Sequence, residues 1–108
     1  MSNKKNQPKE KGGGRIRIIG GQWRSRKISF LEAPGLRPTG DRIRETLFNW
    51  LGINIDGAHC LDLYAGSGIL GFEALSRGAS TCTALENNPT VSRQLHVNCD
   101  ALGADLSI

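Results

Sequence analysis

Gly66, Gly68 and Gly71 form the spacing G-x-G-x-x-G, and two carboxylates stand near it: Asp62 four residues ahead and Glu86 at the end of the next apolar run. Glycine lets a backbone approach a ligand closely. Between a strand and a helix this spacing is the fingerprint of a loop that cradles a nucleotide-type cofactor. A carboxylate ending the following strand can accept hydrogen bonds from ribose hydroxyls, which is the place Glu86 takes. By itself the pattern admits NAD, FAD or S-adenosylmethionine.

Asp62 separates these ligands. Dinucleotides lay a pyrophosphate on the glycine turn and the helix N-terminus, and an acid four residues upstream would repel it. S-adenosylmethionine has no phosphate and carries a sulfonium and an ammonium, so an acid there attracts it. A plainer reading makes Asp62 a cap on the glycine loop and Glu86 a solvated strand end. The cap is compatible with the same site. The methyl donor is the ligand that uses both acids.

The elements that must position this loop are legible from periodicity. After Gly57, Ala58–Leu63 is a short apolar strand, and Gly66-Ser67-Gly68 turns into a helix that runs to about Arg77 and ends at Gly78. Ser80–Leu85 is a second strand. Asn88-Pro89 is a helix start, a cap residue with proline at the first helical position. Val91, Leu95, Asn98 and Leu102 mark that helix's buried face, Gly103 stops it, and Leu106-Ser107-Ile108 begins a third strand. The order β-α-β-α-β predicts a parallel, doubly wound α/β sheet.

Ahead of it, Arg15–Ile19 and Trp23–Phe30 read as a hairpin turning at Gly20-Gly21. The prolines and glycine of Ala33–Pro38 make a loop. A helix follows from about Asp41 to Leu51, with Asp41 as cap or first-turn acid and Gly52 as its end. Its stripe of Ile43, Leu47, Trp50 and Leu51 is expected to pack on a neighbouring core. Residues 1–14, polar, Lys-rich and ending in three glycines, read as a disordered basic arm. The expected organisation is therefore an arm over 1–14, a basic hairpin plus helix over 15–52, and a cofactor domain over 53–108.

Charge supports the division. The 108 residues carry a net +4, but residues 1–50 hold twelve Lys and Arg against four acids, and residues 51–108 two Arg against six acids. The basic half suits a polyanion. Arg15, Arg17, Trp23, Arg24, Arg26 and Lys27 on the hairpin, with Arg37 and Arg42 beyond it, are the candidate nucleic-acid contacts, cations for phosphates and an aromatic for stacking. A solvated hairpin with ordinary charges is the alternative. No run approaches the length of a membrane span, and the start does not resemble a secretory signal. Cys60, Cys82 and Cys99 have no metal-ligand spacing and read as buried thiols, which fits a reducing cytoplasm. No metal site is expected.

Asp62-Leu63-Tyr64-Ala65-Gly66-Ser67-Gly68 resembles the first cofactor motif of class I methyltransferases, and Ala84-Leu85-Glu86-Asn87 their second. Two upstream segments are more specific. Arg17-Ile18-Ile19-Gly20-Gly21-Gln22-Trp23-Arg24-Ser25-Arg26 and Leu36–Leu51, with its run Arg37-Pro38-Thr39-Gly40-Asp41-Arg42, resemble the RsmD family. These bacterial enzymes methylate the exocyclic N2 of a guanine in 16S ribosomal RNA of the small subunit. The resemblance covers nearly everything after residue 14 and implies the N-terminal part of a Rossmann-like class I methyltransferase sheet. It implies that Asp62, Tyr64, Ala65, Gly66, Ser67 and Gly68 line the methionine end of S-adenosyl-L-methionine. Glu86 would hold the ribose, Asn87 would lie beside the adenosine, and the hairpin would grip rRNA. The Thr39–Glu45 segment would close over the cofactor or the target base.

The family's catalytic Asn/Asp-Pro-Pro-aromatic motif is absent, since the sequence has no consecutive prolines. No catalytic residue is therefore assigned. That motif would hold the guanine amine in line with the methyl group, where positioning supplies much of the rate. The chain is expected to be an inactive fragment whose first cofactor-domain strand is a bare edge. Two other readings stand beside this one: a non-catalytic RNA-binding module, and part of an NAD(P)-dependent oxidoreductase.

Overall fold

The structure, a computed structural model, describes residues 13–31, 38–63 and 65–108. The readings placed on residues 1–12, on the loop up to Arg37 and on Tyr64 lie outside these. Strand β1 (Gly13–Arg17) runs antiparallel to β2 (Lys27–Leu31), with Arg15 opposite Ser29, Ile16 opposite Ile28 and Arg17 opposite Lys27. Gly13 and Gly14, expected in the arm, belong to β1. Gly14 faces Phe30, whose Cζ would lie 2.5 Å from a Cβ at that position. The aromatic ring thus covers the glycine across the strands. Partners across a ladder share a face, so Ile16 and Ile28 turn inward while Arg15, Arg17, Lys27 and Ser29 turn out.

The hairpin tip is longer than a Gly-Gly turn. Residues 18–26 form a loop containing a 3-10 turn at Gly21–Trp23, closed by Ile18 N–H to the Arg26 carbonyl and Ser25 N–H to the Ile18 carbonyl, both 2.8 Å. Ile18 points down and is fully buried. Gly21 has φ +82°, and a Cβ there would lie 1.9 Å from the Ser76 carbonyl oxygen. Both the conformation and the contact demand glycine.

Helix α1 (Asp41–Leu51) has the expected bounds and is closed by Gly52 at φ 52°. Asp41 is a first-turn acid rather than a cap, because Gly40 holds the cap position without a side-chain bond. The expected packing face is corrected. Ile43 and Trp50 are 65% and 79% exposed, whereas Arg44 and Phe48 are buried and Leu47 and Leu51 half-buried. The helix is rotated by about one residue, roughly 100°. The reason is Glu73, a buried carboxylate that takes the Arg44 guanidinium as partner. An unpaired buried charge would cost more than two exposed apolar side chains.

The second sheet is parallel, in the order β3 (His59–Asp62), β4 (Thr81–Ala84), β5 (Leu106–Ser107). Its crossovers are α2 (Ile69–Ser76) and α3 (Pro89–Leu102). Asn88 Oδ1 accepts from Thr90 N–H (2.9 Å) and Val91 N–H (3.3 Å), and Pro89 follows as the first helical residue. Val91, Leu95, Asn98 and Leu102 are buried, as expected. Gly71 brings α2 close to the sheet, where a Cβ would lie 3.0 Å from Cys82 Sγ. One core joins hairpin, α1 and sheet through Ile18, Ile28, Phe48, Phe72, Leu95 and Leu106. Among the described residues β3 pairs on one side only, with β4, and Leu61 and Leu63 stay exposed.

Candidate cofactor site

The glycine loop sits at the C-terminal ends of β3 and β4. Leu85 N–H donates to the Asp62 carbonyl (2.8 Å) and Ala65 N–H to the Leu85 carbonyl (3.1 Å), which extends the strand pairing into the loop. Gly68 N–H closes the turn on the Ala65 carbonyl at 2.8 Å. Gly68 then enters α2 at φ +82°, and a Cβ on it would lie 2.4 Å from Leu95 Cδ2. The loop therefore lies directly on α3. Ser67 Oγ accepts from Ile69 N–H at 3.2 Å, capping the first turn of α2 from one residue inside the loop.

Asp62 is half-buried at the end of β3, and Asn87 is exposed beyond β4. Glu86 stands at the end of β4, as expected, and also acts as a clasp. Its Oε1 accepts from Gly66 N–H (2.9 Å) and its Oε2 from Asn88 N–H (3.0 Å). A carboxylate offers about four lone-pair sites, so each oxygen keeps one for a hydroxyl donor. The two acids thus flank the loop, one at each strand end.

A cavity of about 110 Å³ opens beside the loop, lined by Phe30, Leu31, Pro38, Thr39, Ser67 and Gln94. Ala65 and Gly66 also line it, so five of the described loop and hairpin positions converge there, while Asp62 and Glu86 do not reach it. Asp62 instead borders an apolar groove of about 400 Å³ along β3 and α1, walled by Leu47, Leu51, Leu61 and Leu63.

The basic residues separate into two groups. Arg17 Nε pairs with Asp41 at 3.3 Å, and an Arg26 guanidinium nitrogen donates to the Ala101 carbonyl at 2.9 Å, at the C-terminus of α3. Arg24 reaches the Ile19 carbonyl at 3.4 Å. Arg15, Lys27 and Arg42 are exposed with no ion pair among the described residues. Trp23 is half-buried against the core.

Sequence reasoning missed how the halves are joined. Glu73 and Arg44 are both fully buried and pair at 2.9 Å. Glu73 also accepts from Ile19 N–H (3.0 Å), Gly20 N–H (2.9 Å) and Arg77 Nε (2.9 Å). Ser76 Oγ donates to the Gly20 carbonyl (2.6 Å) and accepts from Trp23 N–H (2.9 Å). On α3, Asn98 accepts from Ser29 N–H (3.2 Å) and donates to the Ser29 carbonyl (2.7 Å), pairing with β2 as a strand would. The available signal was an acid within the otherwise apolar run Ile69–Leu75.

The cysteines are free thiols, and burial raises all three, Cys82 to about 11 with the charges of Cys60 and Asp62 adding to the effect. Among the described residues no His, Cys, Asp and Glu group could hold a metal ion, and no helix is long and apolar enough to cross a membrane.

A family model described as conserved hypothetical protein 95 matches residues 16–108. The ribosomal RNA small subunit methyltransferase D of Escherichia coli K12 is 58% identical over 97 residues, covering 90% of this chain and 49% of that protein. The chain spans about half the length of the curated relatives it matches. A solved E. coli structure superposes with a TM-score of 0.74 at 50% identity, over 87% of this chain and 52% of the other. The Pyrococcus abyssi tRNA (uracil-54, C5)-methyltransferase, solved with S-adenosyl-L-homocysteine, shares the fold at 19% identity and a TM-score of 0.58, over 90% of this chain and 23% of that one.

Proposed function

Since the chain belongs to the RsmD methyltransferase family, described as conserved hypothetical protein 95, we propose that it serves methyl transfer from S-adenosyl-L-methionine to the exocyclic N2 of a guanine in 16S ribosomal RNA. The observation that carries this reading is the pair of carboxylates, Asp62 and Glu86, on either side of a glycine turn at adjacent parallel strand ends. The donor set fits a cationic adenosine ligand and opposes a pyrophosphate.

When bound, the cofactor supplies a methyl group on a sulfonium. Asp62 attracts the cationic end, Gly66 and Gly68 let the backbone approach, and Ser67 keeps the α2 N-terminus in place. Glu86 keeps Gly66 and Asn88 in register and offers its remaining lone pairs to the ribose. Asn87 lies within reach of the adenosine. Tyr64 joins this set through the family motif. The outward face of the hairpin, with Arg15 and Lys27, grips RNA, and the small ribosomal subunit in the cytoplasm is the finer assignment. Donor binding and RNA docking are the roles assigned to the residues of this chain.

Thermal melting with ligand tests the reading. S-adenosyl-L-homocysteine at one hundred times its dissociation constant should stabilise the fold by about 2.7 kcal/mol, and NAD should do nothing. Protection by NAD alone would transfer the site to oxidoreductase chemistry.

A further inference from the structure

We propose that Arg44 is a positioning residue for the donor site: it fixes the Pro38–Thr39 wall of the loop-side cavity, using the Glu73 carboxylate as its anchor. The inference rests on the methyl-donor reading of the glycine loop, whose Gly66 and Ser67 line this cavity although Asp62 and Glu86 do not. Arg44 lies on α1, outside the cofactor motifs, and its guanidinium is fully buried. It spends its donors in four directions. Nε donates to the Thr39 carbonyl at 2.9 Å, one terminal nitrogen to Glu73 Oε1 at 2.9 Å and to the Arg17 carbonyl at 3.0 Å, and the other to Asp41. Pro38 and Thr39 in turn line the same cavity as Gly66 and Ser67.

The anchor is as firm as the reach. Glu73 stands on the helix that the glycine loop begins, and it is fixed there by Arg77 and by two hairpin amides. The cavity's far wall is therefore tied through one guanidinium to the same helix that carries its near wall. A planar fork is required for this: an ammonium is a point charge and could satisfy Glu73 or Thr39, but not both with Arg17 and Asp41. Among the described residues no other hydrogen bond ties Thr39, so loss of the Nε bond releases the wall while the charge pair persists.

Arg77 supplies the control. It also pairs with Glu73, at 2.9 Å, and lies 5.1 Å over the Phe48 ring, yet it does not line the cavity. Arg44→Lys should speed amide hydrogen exchange across residues 39–44 and weaken S-adenosyl-L-homocysteine binding at least tenfold. Arg77→Ala should lower the melting temperature without either effect. An ester in place of the Thr39–Gly40 peptide bond weakens the Thr39 carbonyl as an acceptor and leaves the buried pair untouched. It should also weaken binding with little change in melting, and it keeps the test decisive should Arg44→Lys fail to fold. Equal changes in affinity for Arg44→Lys and Arg77→Ala, or full affinity in the ester-linked protein, would overturn the proposal. If the unaltered protein takes up no S-adenosyl-L-homocysteine, the donor reading fails, and the exchange at residues 39–44 alone decides whether Arg44 holds the wall.

Discussion

Arg15 and Lys27 project from one face of the hairpin into solvent, whereas Arg17 and Arg26 are committed to Asp41 and to the end of α3. The distinction matters because a cation already paired inside the fold releases fewer counterions when RNA arrives. Replacing Arg15 and Lys27 by Ala should reduce the salt dependence of RNA binding by about 0.7–0.9 in log–log slope for each cation. Arg26→Ala should leave that slope nearly unchanged and cost stability on the order of 0.3–1 kcal/mol, the worth of a cation at a helix C-terminus. Filter binding across a salt series and urea unfolding separate the two. An equal slope change for Arg26→Ala would move it back among the phosphate contacts. At this scale the sequence named the cations but could not sort them, since Asp41 and Ala101 lie 24 and 75 residues away from their partners.

The elements were legible wherever local chemistry decides them. Asn88-Pro89 starts α3 and Gly103 ends it, and Gly52 ends α1. The β-α-β-α-β order gave the parallel sheet, because alternation and turn glycines are local signals. The face of α1 was legible only in part: Leu47 and Leu51 pack on the core, but Ile43 and Trp50 do not, because a buried acid on another helix draws Arg44 inward. This reversal has a measurable consequence. Ile43→Glu should change stability by less than about 0.5 kcal/mol, as for an ordinary surface site, while Phe48→Ala should cost about 3–5 kcal/mol. Denaturant unfolding reads both. A large loss for Ile43→Glu would restore the stripe to the core. The hairpin tip shows the same limit, since its length is set by Glu73 and Ser76 beneath it and not by Gly20-Gly21 alone.

Taken as a whole, the molecule places a basic hairpin across the two helices that flank a glycine loop, and joins them with buried polar side chains instead of a purely apolar seam. Glu73 ties the tip to α2, and Asn98 ties β2 to α3. Such networks are costly when incomplete and specify one arrangement when satisfied. The hairpin and the glycine loop therefore share a single frame, with the loop, Asp62 and Glu86 at its sheet ends. Sequence motifs revealed the loop and its acids because they are contiguous; the frame stayed hidden because its partners are brought together only by folding. The acid at the end of β3 is the residue proposed to make this loop a site for a cationic methyl donor. Isothermal titration with S-adenosyl-L-homocysteine, for the protein and for Asp62→Ala, is the decisive measurement. The protein should bind and Asp62→Ala should not, with melting retained; undiminished binding by that variant would refute the assignment.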